Sequence, residues 1–306
     1  MKKSIRIGAG AAWWGDRVEP AKLNAERGEL DSLCFETMAE ATVSAAQVRK
    51  RRDPSFEGYD TYLDDRMQAV LPACMKNGTR IISNQGWINP DAAAQRIVHW
   101  LRKMGHTGVK VASVNGSLIT DKVLQLTDRI MENGKPTSTL APDLISAEVY
   151  LGAEPIVEAL RAGAQIVVTG RVADPSLFMA PMMYEFGWDP LDAARLGQGM
   201  GLGHLMECGA QVTGGYFSDP GFKDVPEPWN FAFPFADVEP DGTAVLGKVA
   251  GSGGAINLRT VKEQMLYEVH DPANYLTPDV VVDFTSARLE QVGADRLRVS
   301  GIGRKA

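Results

Sequence analysis

Cysteine is scarce, with three in 306 residues, at Cys34, Cys74 and Cys208. An odd, widely spaced set excludes a disulfide scaffold and gives a reducing cytoplasm as the expected compartment. Long apolar runs are missing too. None reaches the roughly 18–20 residues needed to span a bilayer. Arg6 and Asp16 interrupt the opening segment before it can form the apolar core of a leader. Positive charge is in deficit. Lys and Arg number 32 against 38 Asp and Glu, for a net charge of −6, which argues against a nucleic-acid partner. There is no low-complexity linker and no internal repeat. With 44% hydrophobic and 23% charged residues, the composition is that of a globular protein. It excludes a disordered chain, a collagen-like repeat and a coiled-coil rod. At about 150 residues per domain, the length suggests two domains or one large one.

What the sequence does contain is an alternation of strand and helix signals. Strands are expected at Ile5–Gly10, Leu33–Phe35, Arg80–Ser83, Val109–Val114 and Ile166–Thr169. Helices are expected at Met38–Arg52, from Asn89-Pro90-Asp91 to about Met104, at Asp121–Asn133 and at Ala153–Ala162. This is an α/β pattern: a mostly parallel sheet with covering helices in the first half. The pattern leaves an open doubly wound sheet and a barrel equally available. The last third reads as α+β with hairpins. Asp241-Gly242 marks a turn inside Asp237–Val249, Thr260–Glu263 fits a capping box for a helix ending near His270, and strands follow at Val280–Phe284 and Leu297–Ile302. Leu191–Gln211 is helical in pattern but carries five glycines, so a break is expected around Gln198–Gly203. A division into 1–200 and 201–306, or one continuous domain, fits this reading.

In either parallel architecture the ligand site lies at the carboxyl ends of the strands. The loops there carry Asp16, Arg17, Glu36, Asn84, Asn89, Asn115, Arg171 and Asp174, which are the expected substrate-binding residues together with Gln211, Gly214 and Gly215. Gly8 and Gly10 after a strand suggest a dinucleotide turn, but Trp13 stands where the third glycine belongs, so no dinucleotide is expected. The spaced glycines before His204 offer either an anion cradle for phosphate or carboxylate or close packing of this segment against a neighbouring element.

The expected catalytic residues are His204, Glu207, Cys208, His270 and Asp271. His204, Glu207, Cys208 and Gln211 fall at i, i+3, i+4 and i+7, on one helix face. His204 can serve as general acid or base, oriented by Glu207. Cys208 can be a nucleophile if His204 lowers its pKa. His204, Cys208 and His270 can also be set out as metal ligands, although local spacing supplies two at most, so no metal is expected. The plain alternatives are a structural polar network around His204 and a helix-end cation at His270. Asp279 or Asp283 can orient a histidine.

Several stretches resemble one family. They are Gly8-Ala-Gly10 with Gly15-Asp16-Arg17, Thr169-Gly-Arg171-Val-Ala-Asp174-Pro, Gly203-His-Leu-Met-Glu-Cys-Gly-Ala-Gln-Val-Thr-Gly-Gly-Tyr216, Tyr267-Glu-Val-His-Asp-Pro272 and Tyr275-Leu-Thr-Pro-Asp279. Together they resemble the acyclic terpene utilisation (AtuA-type) family over essentially the whole chain. The resemblance implies a place in bacterial catabolism of citronellol- and geraniol-type terpenes or related branched acids, beside acyl-CoA enzymes. Two positions depart from the family pattern. Asn115 stands where an acidic residue is usual, and Glu148-Val149 where Asn-Ala precedes the tyrosine. Family members generally continue beyond the region matching Gly301–Arg304, which gives the expectation of a short form working with a small companion protein or domain.

The resulting expectation is a cytosolic catabolic enzyme, a homo-oligomer with no membrane or nucleic-acid partner. It acts on a branched acyl or acyl-CoA compound by acid–base hydration, dehydration or hydrolysis. His204 moves the proton, Glu207 supports it, and Arg171 anchors a carboxylate or thioester oxygen. No resident cofactor is expected, and coenzyme A enters as part of a thioester substrate. The alternatives are a non-catalytic, partner-dependent subunit that binds an acyl intermediate, and a metal-dependent hydrolase.

Overall fold

Alternating apolar strands and amphipathic helices build a layered sheet, seen in a computed structural model that describes residues 3–304. Strand β1 (Ile5–Ala11) leads through α1 (Glu19–Arg27) to β2 (Ser32–Phe35). Helices α2 (Glu40–Arg52) and α3 (Leu63–Asn77) precede β3 (Arg80–Ser83). Then come α4 (Pro90–Lys103), β4 (Val111–Val114), α5 (Thr120–Val123), α6 (Glu154–Arg161) and β5 (Ile166–Thr169). Helices α7 (Asp174–Phe186) and α8 (Ala193–Glu207) are followed by β6 (Pro234–Val238), β7 (Ala244–Lys248) and α9 (Leu258–Leu266). The chain ends in β8 (Tyr275–Leu276), β9 (Val281–Asp283), β10 (Arg288–Gly293), β11 (Arg296–Ser300) and β12 (Gly303–Arg304).

Nine strands form one sheet in the order β10-β11-β7-β6-β1-β2-β3-β5-β4, and β12-β9-β8 form a small second one. The large sheet ends on β10 and β4, so it is open rather than a barrel. Strands β1 to β5 are mutually parallel, while β6, β7, β11 and β10 extend the same sheet antiparallel from β1. The Asp241-Gly242 turn does join β6 to β7, with Gly242 in the left-handed region at φ +88°.

Handedness explains the two helix layers. From β1 to β4 the chain steps in one direction, and right-handed crossovers put α1, α3 and α4 on one face. From β4 it steps back to β5, so the same rule sends α6 to the other face, where α7, α8 and α9 join it. Neighbours β3 and β5 therefore release their chains to opposite faces. That is the switch point at which open α/β sheets bind ligands. Helix α2 covers neither face. Met38, Val43 and Ala46 pack with Phe56 and Trp87 over the carboxyl-end loops.

Three expected elements differ. Helix α8 is unbroken through its glycines, because each meets a neighbour where a side chain would stand. A Cβ at Gly201 would lie 2.6 Å from Ile302, and one at Gly203 would lie 2.5 Å from the Pro175 carbonyl oxygen. These glycines let α7 and the second sheet approach closely, and α8's own ladder uses their N–H groups. Gly203→Ala is expected to destabilise by about 1–3 kcal/mol through overpacking. Thermal unfolding checks this, and a rise in Tm from better helix propensity would contradict it. The expected helix at Asp121–Asn133 shrinks to α5, whose residues bury nothing against the core. Helix α9 starts earlier and ends earlier than expected. Asn257 is the N-cap with Thr260 completing the box, and the helix stops at Leu266, where Tyr267 turns extended and Glu268 takes φ +58°. Helices α1, α3 and α7 add elements that the periodicity did not suggest.

Candidate functional site

The carboxyl edge of the parallel strands gathers the chain's ionisable groups. Glu36 follows β2 directly, and Asn84 follows β3. Asn84 Nδ2 donates to Glu36 Oε1 at 2.9 Å, and the Met38 amide donates to the same oxygen at 2.7 Å. Asn84 Oδ1 in turn accepts from the Thr37 amide at 2.7 Å. Both residues are buried. Burial pushes the Glu36 carboxyl well above its ordinary value, and the charge of Asp174 pushes it further.

Arg171 follows β5, and Asp174 opens α7. Arg171 makes ion pairs with Asp174 (3.3 Å) and Glu40 (3.2 Å), and its guanidinium carbon lies 4.1 Å from the Tyr150 ring centre. Desolvation pushes Asp174 up to about 6 despite the opposing Arg171 charge. Its Oδ1 is buried and accepts no hydrogen bond.

His204 and Glu207 sit one turn apart on α8. His204 Nε2 lies 3.1 Å from the Gln264 carbonyl oxygen, which only accepts. Nε2 therefore carries the hydrogen, and Nδ1 of the neutral ring is a lone pair. Burial lowers His204 to about 4, so the ring is neutral at ordinary pH. Glu207 Oε1, 3.0 Å from Nδ1, must then be the donor. Burial, with Asp174 and Glu268 nearby, pushes Glu207 well above its ordinary value, in keeping with a protonated carboxyl. A glutamate raised in this way favours the fold below its unfolded value of 4.5 and loses that contribution as pH rises through the folded value. Glu207→Gln keeps the donor to His204 and cannot ionise. It is expected to gain stability over the parent at about pH 8 and to lose that advantage near pH 4. Urea titrations at both pH values check this.

Three contiguous openings result. A polar cleft of about 300 Å³ is lined by Asp16, Glu36, Asp174, Glu207, Cys208 and Gln211, with Glu40, Glu268 and two tyrosines. A side pocket of about 440 Å³ shares Glu40, Asp174 and Glu268 with it and adds Arg171, Tyr150 and Tyr275. An apolar groove of about 360 Å³ shares Trp13 and Ala39 with the cleft and runs along α2 between Trp14, Ala45, Ala46, Phe56 and Trp87.

The expected residues divide accordingly. Asp16, Glu36, Arg171, Asp174, Glu207, Cys208 and Gln211 line these openings, and Asn84 braces Glu36 from behind. Asp16 also closes its own turn, with Oδ2 accepting from the Ala12 (2.7 Å) and Trp13 (3.0 Å) amides. His204 is fully buried and does not line the cleft. Burial and Glu207 push the Cys208 thiol far up, so it is uncharged. Both His204 nitrogens are engaged elsewhere. His270 and Asp271 are exposed at the end of the turn after α9, where Asp271 accepts from the Ala273 amide. His204, Cys208 and His270 do not converge, and no group of three or more potential metal ligands occurs among the described residues. Arg17 donates outward to the Trp229 carbonyl. Asn89 caps α4, and the exposed Asn115 donates to Asp91. Gly214 and Gly215 pack against Val225 and Gln211, outside the cleft lining. Asp279 binds the Ala153 amide and the Ser176 hydroxyl rather than a histidine.

Sequence reasoning missed Glu40, Tyr150 and Glu268 as lining groups, and it missed the support beneath them. Asp60 and Arg66 form a fully buried ion pair at 2.6 Å. Arg66 Nη2 donates to the Trp14 carbonyl at 2.6 Å, and Gln85 Nε2 donates to Asp60 at 3.0 Å. This pair holds the Trp13–Asp16 loop against the cleft. The one available signal was the Tyr267-Glu268 pair beside His270.

No curated protein and no solved structure matches the chain. Among the described residues, no helix is long and apolar enough to cross a membrane. The family model for acyclic terpene utilisation family protein AtuA matches residues 5–306. The chain therefore belongs to the acyclic terpene utilisation (AtuA) family.

Proposed function

We propose that the protein is a catabolic enzyme that adds water to, or eliminates it from, a branched acyl compound by acid–base chemistry. One observation carries the reading. Two carboxyl groups whose pKa values burial raises well above the ordinary carboxylate range, Glu36 and Glu207, line the same cleft as Asp174, whose pKa is raised less, to about 6. Environments that separate the pKa values of neighbouring carboxyls assign an acid and a base.

In the hydration direction, the Asp174 carboxylate, which lines the cleft, takes a proton from water as the water oxygen bonds to the β-carbon of an unsaturated acyl group. Electrons shift to the acyl oxygen, whose charge Arg171 stabilises. Glu207 or Glu36 then delivers a proton to the α-carbon, and the acid and base are restored by proton exchange with solvent. Elimination runs the same steps in reverse. His204 holds Glu207 and its proton from behind the cleft instead of touching substrate. The apolar groove, opening at Trp13 and Ala39, suits a branched hydrocarbon tail.

Thermal shift with branched unsaturated acids, free and as coenzyme A thioesters, tests the pairing of cleft and groove. A ligand at about 100 times its Kd adds roughly 2.7 kcal/mol of stability. The reading predicts larger shifts for branched chains than for acetate. Equal shifts across the series would count against it.

A further inference from the structure

We propose that Arg171 and Tyr150 form a receptor for a free carboxylate, and that Glu40 fills it until the ligand's own carboxylate displaces it. The inference rests on the cleft being the substrate site and narrows the substrate to a free acid.

Arg171 and Glu40 are mismatched partners. The Arg171 side chain is 2% exposed, whereas that of Glu40 is 74% exposed. Arg171 Nη2 and the Tyr150 hydroxyl both donate to one oxygen, Glu40 Oε1. Against the push of burial, the Tyr150 hydrogen bond and Arg171 hold Glu40 below its ordinary value, so the receptor contains a carboxylate. Arg171 Nε is buried and has no acceptor, and its Nη1 has only the Asp174 ion pair. An unsatisfied buried guanidinium donor is costly, and a second carboxylate oxygen would relieve it. The guanidinium fork and the tyrosine hydroxyl suit two charged oxygens, while a thioester offers one uncharged acceptor. The side pocket of about 440 Å³ opens directly on this pair. Glu40 stands in the first turn of α2, with its side chain in solvent, so it can swing out without moving the helix.

Calorimetric titration with 3-methylbutanoate, its amide and its coenzyme A thioester tests this. Glu40→Ala is expected to bind the carboxylate at least about tenfold more tightly, because the site no longer competes with itself. Arg171→Lys is expected to bind it about 10- to 100-fold more weakly, and Tyr150→Phe, at a more exposed position, about three- to tenfold. The parent should prefer the acid to the amide. An unchanged carboxylate affinity in Glu40→Ala, an amide bound as tightly as the acid, or a thioester bound more tightly than either would each overturn the proposal. Those binding results leave the acid–base reading standing, since that reading fails on absent turnover or on thermal shifts that do not grow with a branched chain.

Discussion

Asp174→Asn is expected to lower turnover by about 10²- to 10⁴-fold, the usual contribution of a positioned acid or base. It should do so without unfolding the protein. The amide is isosteric, the desolvated carboxyl's Oδ1 accepts no hydrogen bond, and its contacts with Arg171 are long, at 3.3 and 3.4 Å. Arg171 keeps Glu40 as its ionic partner. The pH profile separates loss of a base from loss of shape. In the parent, kcat/KM should rise through about pH 6 as Asp174 ionises. It should fall at higher pH as Glu36 and Glu207 lose their protons, since both are raised by burial. In Asp174→Asn the rise through pH 6 should be gone from the residual activity. A rise that survives the substitution would assign the base elsewhere.

Arg66→Met is expected to cost about 3–5 kcal/mol of stability, which places it among the most damaging single changes available. Arg66 and Asp60 are both fully buried, so removing the cation leaves an unpaired buried carboxylate. The change also removes the hydrogen bonds that fix the Trp13 and Trp14 carbonyls. Trp13 is the wall shared by groove and cleft. Ligand binding should therefore weaken even where the variant remains folded. Urea unfolding checks the magnitude. An Arg66→Met, Asp60→Leu double variant should recover part of the loss, because the orphaned charge is gone. A single variant within about 0.5 kcal/mol of the parent, as for ordinary surface changes, would show that the pair is not structural support.

The strands that carry the site were legible because each is a short apolar run ending at a polar turn. Ile166–Thr169 with Arg171 and Arg80–Ser83 with Asn84 are the clearest cases. The carboxyl-edge rule then located Glu36, Arg171 and Asp174 without any contact information. The α8 glycines were misread because helix propensity penalises glycine, while close packing against Pro175 and Ile302 overrides that penalty. Histidine drew attention to His204 for its chemistry, but its ring is wholly buried, and Glu207 one turn on reaches the cleft instead. Glu40 and Tyr150 lie 110 residues apart and meet only through tertiary structure. The Asp60–Arg66 pair looks in sequence like an ordinary solvated helix-start pair. Nothing local announces that both groups are dry.

The most direct measurement is mass spectrometry of branched α,β-unsaturated acids, free and as coenzyme A thioesters, incubated with the protein in heavy-oxygen water. The account predicts addition of one labelled water at the β-carbon of a bound substrate, with product forming about 10²- to 10⁴-fold more slowly in Asp174→Asn. Substrates that bind in the thermal-shift assay yet are recovered unlabelled and unchanged from the parent protein would contradict it.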